Sequence, residues 1–254
     1  MSRIKAPFRW CLILVALVFA GPALAVECSE MTFEDRGYSV CKVDTATDEL
    51  RLFLTDPGGT PYGTFDAVDA RLAGQGKQLA FATNAGMYHE DRSPVGHYRE
   101  NGQEVQRVIA NAGPGNFGLL PNGVFCFGPG RAEVIETKAY QQRDVADCPN
   151  ATQSGPMLVI DGDLHPRFLE DSTSRYIRNG VGVSADGSAA YFVMSDSAVT
   201  FHEFGRVFRD MLQTPQALYF DGNISRLYAP QMNRNDLGRR MGPIVGVVVP
   251  ASGE

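Results

Sequence analysis

Ala217-Leu218-Tyr219-Phe220-Asp221-Gly222-Asn223-Ile224-Ser225-Arg226-Leu227-Tyr228 is an apolar run that stops abruptly at an acid, a glycine and a serine. Residues 217–220 are apolar or aromatic and suit a buried strand, while Gly222 and Asn223 favour the turn that must follow it. Such an ending delivers the Asp221 carboxylate to the rim of a sheet, on a rigid support beside a loop, where catalytic groups are often found. An Asp-Gly turn without chemistry is written with the same letters, so the surrounding chain has to decide between them.

Short apolar runs punctuated by glycine recur at 38–43, 50–54, 78–82, 105–109, 124–127, 157–160, 189–194, 217–220 and 244–249, and each reads as a strand. Helical periodicity is clear twice. Phe65, Val68 and Leu72 mark one face of a short helix, and Phe204, Val207, Phe208, Met211 and Leu212 form a longer apolar stripe. The second helix has its own start signal, because Thr200 followed three residues later by Glu203 matches a capping box. The order strand (189–194), helix (200–212), strand (217–220) reads as a crossover unit and predicts at least two parallel strands. The expected fold is therefore α+β: a mixed, mainly antiparallel sheet core with packed helices. Residues 26–254 contain no Ser- or Pro-rich linker, low-complexity tract or fixed-period repeat, which predicts a single domain.

Residues 1–25 read as a secretory signal. Arg3, Lys5 and Arg9 supply a basic start, residues 10–19 an apolar run too short for an ordinary membrane span, and Ala23-Leu24-Ala25 a small-residue cleavage site. The expectation is an exported protein, periplasmic or secreted, with no membrane span after cleavage. The full chain has a formal net charge of −6. Losing three basic residues with the signal moves this to about −9, which argues against a nucleic-acid partner because phosphate-backbone binding needs a basic surface. A small anion is still acceptable, since one well-placed Arg can hold a phosphate in an acidic protein.

Cys28, Cys41, Cys126 and Cys148 remain after the signal, an even number suited to an oxidising compartment. Three pairings exist; Cys28 with Cys41 and Cys126 with Cys148 is favoured because each closes a local loop. With no Cys-x-x-Cys or His-Glu-x-x-His, zinc sites are poorly supported. Neither a Gly-x-Ser-x-Gly elbow nor a P-loop is present. No cofactor is expected; calcium is the one cation the Asp-rich loops would suit, although they do not spell an EF-hand.

Four polar clusters end apolar runs or occupy glycine-rich turns: 84–88 (Asn-Ala-Gly-Met-Tyr), 153–156 (Gln-Ser-Gly-Pro), 178–182 (Arg-Asn-Gly-Val-Gly) and 221–225 (Asp-Gly-Asn-Ile-Ser). In this order, from about Phe81 to Val249, they resemble the phosphodiester glycosidase family. The first is similar to that family's Asn-Gly-Gly-Phe-Phe turn, and Ser154-Gly155-Pro156 to its Ser-Gly-Pro element. Arg178 and Gly182 match Arg-Thr-Ala-x-Gly, while Asp221, Gly222 and Ser225 match Asp-Gly-Gly-Gly-Ser. Departures are Asn223 and Ile224 for two glycines, Asn179 and Gly180 for Thr and Ala, and Ala85 for a glycine. The phrases at 94–98 and 175–180 resemble a bacterial branch of the family.

The resemblance implies an exported hydrolase that cleaves a sugar C1 to phosphate-oxygen bond in a small or polymeric phosphoglycan. Such cleavage passes through an oxocarbenium-like state, which a carboxylate stabilises or attacks; Asp221 is the first candidate. Phosphate leaves more readily than a sugar alkoxide, so a cation can do more than a general acid. Arg178 suits that part with its planar, permanently charged fork, a structural salt bridge being the plain alternative. Asp196 matches a position where the family often carries an Asp and is a candidate second carboxylate.

The expected substrate-binding set is Asn84, Gly86, Ser154, Gly155, Gly222, Ser225, His97 and Glu203, with no metal ligands. Asn84 suits a sugar hydroxyl or its own turn. Ser154 and the Gly155 backbone suit phosphate oxygens. His97 is a candidate acid or base set against a structural histidine, and Glu203 is set against its capping role. Two other functions use the same residues: a non-catalytic phosphoglycan-binding envelope protein, for which the altered glycines speak, and a transferase in exopolysaccharide assembly.

Overall fold

The computed structural model describes residues 26–251. The expected signal segment, 1–25, and residues 252–254 lie outside the described residues. Three antiparallel sheets share one core. A seven-stranded sheet runs Glu27–Phe33, Arg36–Asp44, Ala189–Ser195, Asn179–Val183, Gln216–Asp221, Met157–Ile160, Asp163–Leu164 in spatial order. One five-stranded sheet runs Arg234–Asn235, Leu227–Ala229, Lys77–Asn84, Ile244–Pro250, Glu49–Phe53. The other runs Gln103–Gln106, Tyr98–Glu100, Asn150–Ser154, Gly123–Gly128, Arg131–Glu136.

All three sheets contribute to the main apolar cluster: Val181, Phe192, Leu218 and Phe220 from the first, Phe81 and Val245 from the second, Phe125 and Val134 from the third. The Gln216–Asp221 strand shows why its sequence is a continuous apolar run. Leu218 and Phe220 face this inner core, while Ala217 and Tyr219 face a second cluster on the other side. A strand covered on both faces has no solvent side on which to place polar residues.

The second cluster is covered by the helix Phe201–Arg206, which continues as a π-helical turn, Val207–Met211. Its start is the expected capping box: the Thr200 hydroxyl accepts from the Glu203 N–H at 3.1 Å and the Glu203 carboxylate from the Thr200 N–H at 2.8 Å. Phe204 and Phe208 are fully buried against the sheet, each stabilising by roughly 1.5–3 kcal/mol. The expected first helix is Phe65–Ala73, capped by Thr64, with Phe65, Val68 and Leu72 packed on the Lys77–Asn84 sheet.

Two expectations need correction. Every strand pair among the described residues is antiparallel. The crossover from Ala189–Ser195 through the helix to Gln216–Asp221 does carry the chain back in the same direction. However, Asn179–Val183 is inserted between the two, pairing antiparallel with each, so no parallel ladder forms. Its glycines resemble turn residues in sequence but are demanded by close approach. A Cβ on Gly180 would lie 2.5 Å from the Leu218 carbonyl oxygen, and one on Gly182 2.5 Å from Thr214 Oγ1. The other correction is the run at 105–109: its strand is Gln103–Gln106, beyond which the chain leaves the sheet.

Cys28 is joined to Cys41 and Cys126 to Cys148, at sequence separations of 13 and 22. Loop-closure entropy assigns about 3 kcal/mol to each. Replacing Cys126 and Cys148 together by alanine is therefore expected to lower the unfolding free energy by about 3 kcal/mol in denaturant melts. An unchanged midpoint would show that the bridge carries no stability.

Candidate active site

Asp221 ends its strand at a bulge. Gly180 pairs with Tyr219 but Asn179 with Asp221, so Phe220 and Asp221 together oppose one residue. A bulge of this kind re-aims the side chain at the strand end. The Ser154 hydroxyl holds it by donating to the Phe220 carbonyl at 2.8 Å. Gly86, at φ +139, brings the 84–88 turn against this corner: a Cβ there would lie 3.3 Å from Thr152 Oγ1 and 3.8 Å from Ser154 Cβ.

A buried amide pair binds the Asp221 strand end to the neighbouring sheet. Asn84 Nδ2 donates to Asn179 Oδ1 and Asn179 Nδ2 to Asn84 Oδ1, both at 3.1 Å. The same two oxygens accept backbone groups of the candidate loop, Asn179 Oδ1 from the Asp221 N–H at 3.2 Å and Asn84 Oδ1 from the Arg226 N–H at 3.1 Å. Ser225 closes the loop, its hydroxyl within 2.9 Å of the Ile177 carbonyl and 3.2 Å of the Asp221 carbonyl.

The Asp221 carboxylate is 9% exposed. Its Oδ1 accepts from the Gly222 N–H at 2.6 Å and the Asn223 N–H at 2.9 Å. Burial pushes its pKa above the usual carboxylate range, partly offset by these loop amides. No cation forms an ion pair with it among the described residues. Gly222 must lack a side chain, because a Cβ there would lie 2.2 Å from the Tyr219 hydroxyl.

Arg178 is fully buried. Nε donates to the Val199 carbonyl at 2.9 Å and Nη2 to the Ser174 carbonyl at 3.0 Å, while the guanidinium carbon lies 3.7 Å from the Phe201 ring centre. Tyr176 and Tyr219 flank it at 5.4 Å each. The Tyr219 hydroxyl stabilises the charge, yet Nη1 meets no aligned acceptor. The salt-bridge alternative is not what the molecule contains: no carboxylate forms an ion pair with Arg178 among the described residues. Instead it sits one ring away from Asp221, since Tyr219 and Tyr176 also touch the Gly222 position.

The remaining candidates lie apart. Asp196 is at the same end of the sheet but two strands away, about 10 Å by strand spacing. There it accepts from Ser39 at 3.1 Å and pairs with Arg234 at 3.2 Å. Glu203 is spent on its cap and on Arg175 and Arg36, at 2.7 and 3.2 Å. Burial raises its pKa, but the Thr200 N–H and the two arginines outweigh that and hold it low. His97 is buried with Nδ1 2.8 Å from the Gln106 carbonyl and Nε2 2.9 Å from the Tyr140 hydroxyl, which leaves neither nitrogen open. A Cβ on Gly155 would strike Asn122 Cβ at 2.5 Å, so its glycine is a packing requirement.

Two participants were not singled out from sequence. Asn179 reads there as a departure from a motif, and Arg226 as the first residue after the loop; its position next to Ser225 was the available signal. Two concavities, of about 430 and 610 Å³, open at the opposite end of the seven-stranded sheet, around Val183 and Gln216 and around Thr45 and Asp48. Neither includes a residue gathered around Asp221. Among the described residues no three His, Cys, Asp or Glu side chains form a metal-ligating group.

Residues 77–248 match the phosphodiester glycosidase family model. The uncharacterized protein YigE of Escherichia coli K12 is 33% identical over 209 residues, covering 82% of this chain and 81% of that one. The fold is similar to the catalytic domain of zebrafish N-acetylglucosamine-1-phosphodiester alpha-N-acetylglucosaminidase, auto-inhibited by its pro-peptide. The TM-score is 0.60 at 12% identity, over 87% of this chain and 81% of that one. It is also similar to a hypothetical protein from Synechocystis, with TM-score 0.57 and 13% identity, where 88% of this chain spans 62% of the other.

Asn84→Ala is expected to cost about 3 kcal/mol, because it strips buried partners from Asn179 and from the Arg226 N–H. A double-mutant cycle with Asn179→Ala should show coupling above about 1 kcal/mol, and additivity would sink the clamp. Asp221 has the opposite sign. A raised folded-state pKa contributes stability that is complete below the ordinary carboxylate pKa and is lost as pH rises through the raised value. Asp221→Asn should therefore melt no lower than the parent at pH 7, with a weaker pH dependence between the two pKa values.

Proposed function

Because the chain belongs to the phosphodiester glycosidase family, we propose that it hydrolyses a sugar C1 to phosphate-oxygen bond at the rim where Asp221 meets the Asn84–Asn179 pair. The single observation that carries this site assignment is the bulged, desolvated Asp221, clamped by backbone amides and free of any ion pair. A carboxylate in that state is poised toward a developing positive charge, which is what an oxocarbenium-like C1 presents.

In the step, an oxygen of water becomes bonded to C1 and the C1–O bond to phosphorus breaks. The bonding pair stays on the departing phosphomonoester, and the water proton passes to Asp221 or, after an Asp221–C1 adduct, to bulk water. Asp221 acts as the ionised group facing C1. Asn84, Asn179, Ser154, Gly86, Gly222 and Ser225 position it; their polar groups are spent on each other and on the loop backbone. Arg178 is assigned a positioning role, its unneutralised charge reaching the site through Tyr219 rather than by direct contact. A part for Asp196 as second carboxylate asks that its pair with Arg234 open.

The substrate is taken to be a small or polymeric phosphoglycan met after export, in the periplasm or outside the cell. The basic, apolar and small-residue leader supports this, as do the two disulfides. No helix among the described residues is long and apolar enough to cross a membrane.

The test is release of free sugar and phosphomonoester from a panel of sugar 1-phosphodiesters. The parent is expected to turn over, and Asp221→Asn to lose roughly 10³-fold in kcat. The acid limb of the parent's kcat/KM should lie above the ordinary carboxylate range, since burial raises the Asp221 pKa and activity needs it ionised. Undiminished turnover in the variant would remove Asp221 from the mechanism. Binding without release would favour a phosphoglycan-binding protein, and release only with an acceptor sugar a transferase.

A further inference from the structure

In a chain of net charge −6, the surroundings of Tyr88 are locally cationic. Arg92 lies over the Tyr88 ring, its guanidinium carbon 5.5 Å from the centre, and the Tyr88 hydroxyl donates to the Arg240 carbonyl at 3.1 Å. Arg92, Arg226 and Arg239 all act on the Tyr88 hydroxyl, and so does the Asp221 carboxylate, with the opposite sign. None of these three arginines forms an ion pair among the described residues.

Arg226 is the least usual of them. It is only 9% exposed, yet its guanidinium makes no hydrogen bond among the described residues and is not sealed from solvent. Asp236, the carboxylate that acts on it, is already taken by Arg234 and by the Leu227 N–H. The 236–242 loop closes directly over it: a Cβ on Gly238, at φ +141, would lie 2.3 Å from Arg226 Nη2. Its backbone N–H is held by Asn84 Oδ1, the counterpart of the oxygen that holds the Asp221 N–H. The protein thus holds a mostly covered fork on the loop that starts at its candidate carboxylate and leaves the fork unmatched, an arrangement that costs stability unless a ligand supplies the missing charge.

We propose that Arg226 binds the phosphate of the substrate, with the Tyr88 hydroxyl within electrostatic reach of both Arg226 and Asp221, so that the C1–O–P unit spans the two. Arg178 is not available for that contact, having two of its three nitrogens on backbone carbonyls and no exposed surface. Arg92 and Arg239, at the rim, then favour substrates whose anionic character continues past the first phosphate, as in a phosphodiester-linked polymer. Naming the anion as a substrate phosphate rests on the glycosidase reading; the anion site itself does not.

The test is calorimetric titration of the whole protein with inorganic phosphate. The parent is expected to bind saturably, Arg226→Gln at least about tenfold more weakly, and Arg226→Lys in between, keeping the charge but losing the fork. Asp221→Asn should bind no more weakly than the parent, because a nearby negative charge is gone. Thermal melts report whether each variant is folded, and Arg226→Lys serves if the glutamine variant is not. No binding by the parent, or binding by a folded Arg226 variant equal to the parent's, overturns the proposal. Arg226-dependent phosphate binding with no sugar release across the diester panel would instead remove the hydrolase reading and leave Arg226 in place.

Discussion

The reciprocal amide pair of Asn84 and Asn179 is the constraint on which the rest depends. Each residue ends or begins a strand of a different sheet, and each is almost wholly buried, so neither amide has water to fall back on. The pair satisfies both side chains and still has acceptor capacity for two backbone N–H groups, those of Asp221 and Arg226. An unsatisfied amide in such a place costs about 1–3 kcal/mol, so the two sheets and the candidate loop are held in one register or not at all.

Charge is arranged around that clamp at the expense of stability. Among the described residues Asp221 is buried without a cation, Arg178 without a carboxylate, and the Arg226 guanidinium without either a carboxylate or a hydrogen bond. Pairing Asp221 with Arg178 would relieve both groups, yet the Tyr219 ring lies against Arg178 with its hydroxyl at the Gly222 position. Where the molecule needs stability alone it pairs its charges, as in the Glu203 contacts with Arg36 and Arg175. Unpaired charges gathered at one sheet end are the physical basis of the proposed site.

Much of this was legible in the letters, and unevenly so. The capping box Thr200–Glu203, the face Phe65, Val68, Leu72 and the local disulfides rest on partners no more than 22 positions apart, so their chemistry is readable in place. The strand Asn179–Val183 was not, because Gly180 and Gly182 are required by Leu218 and Thr214, more than thirty positions away. The parallel pair expected from the crossover failed for the same reason: a strand inserted between two others leaves no trace in the segment that joins them. Ser154 and Asn84 were marked as polar residues at special turns, but whether they face a ligand or hold the Phe220 carbonyl and Asn179 depends on residues 66 and 95 positions distant.

What the sequence by itself determined is local and compositional: strands broken by glycines, two helices of which one carries a readable cap, an acidic chain with an export-like leader, and an ordered motif set that pointed to the family. Tertiary structure alone decided which of the marked residues meet. It drew Asn84, Gly86, Ser154, Asn179, Asp221, Gly222 and Ser225 into one corner, sent Glu203 and His97 to structural posts, and tied the Arg226 backbone to the same amide pair while sealing Arg178 behind rings. Burial and hydrogen-bond satisfaction are properties of packed surroundings. The same letters therefore carry chemistry or only hold the fold according to neighbours that chain order does not reveal.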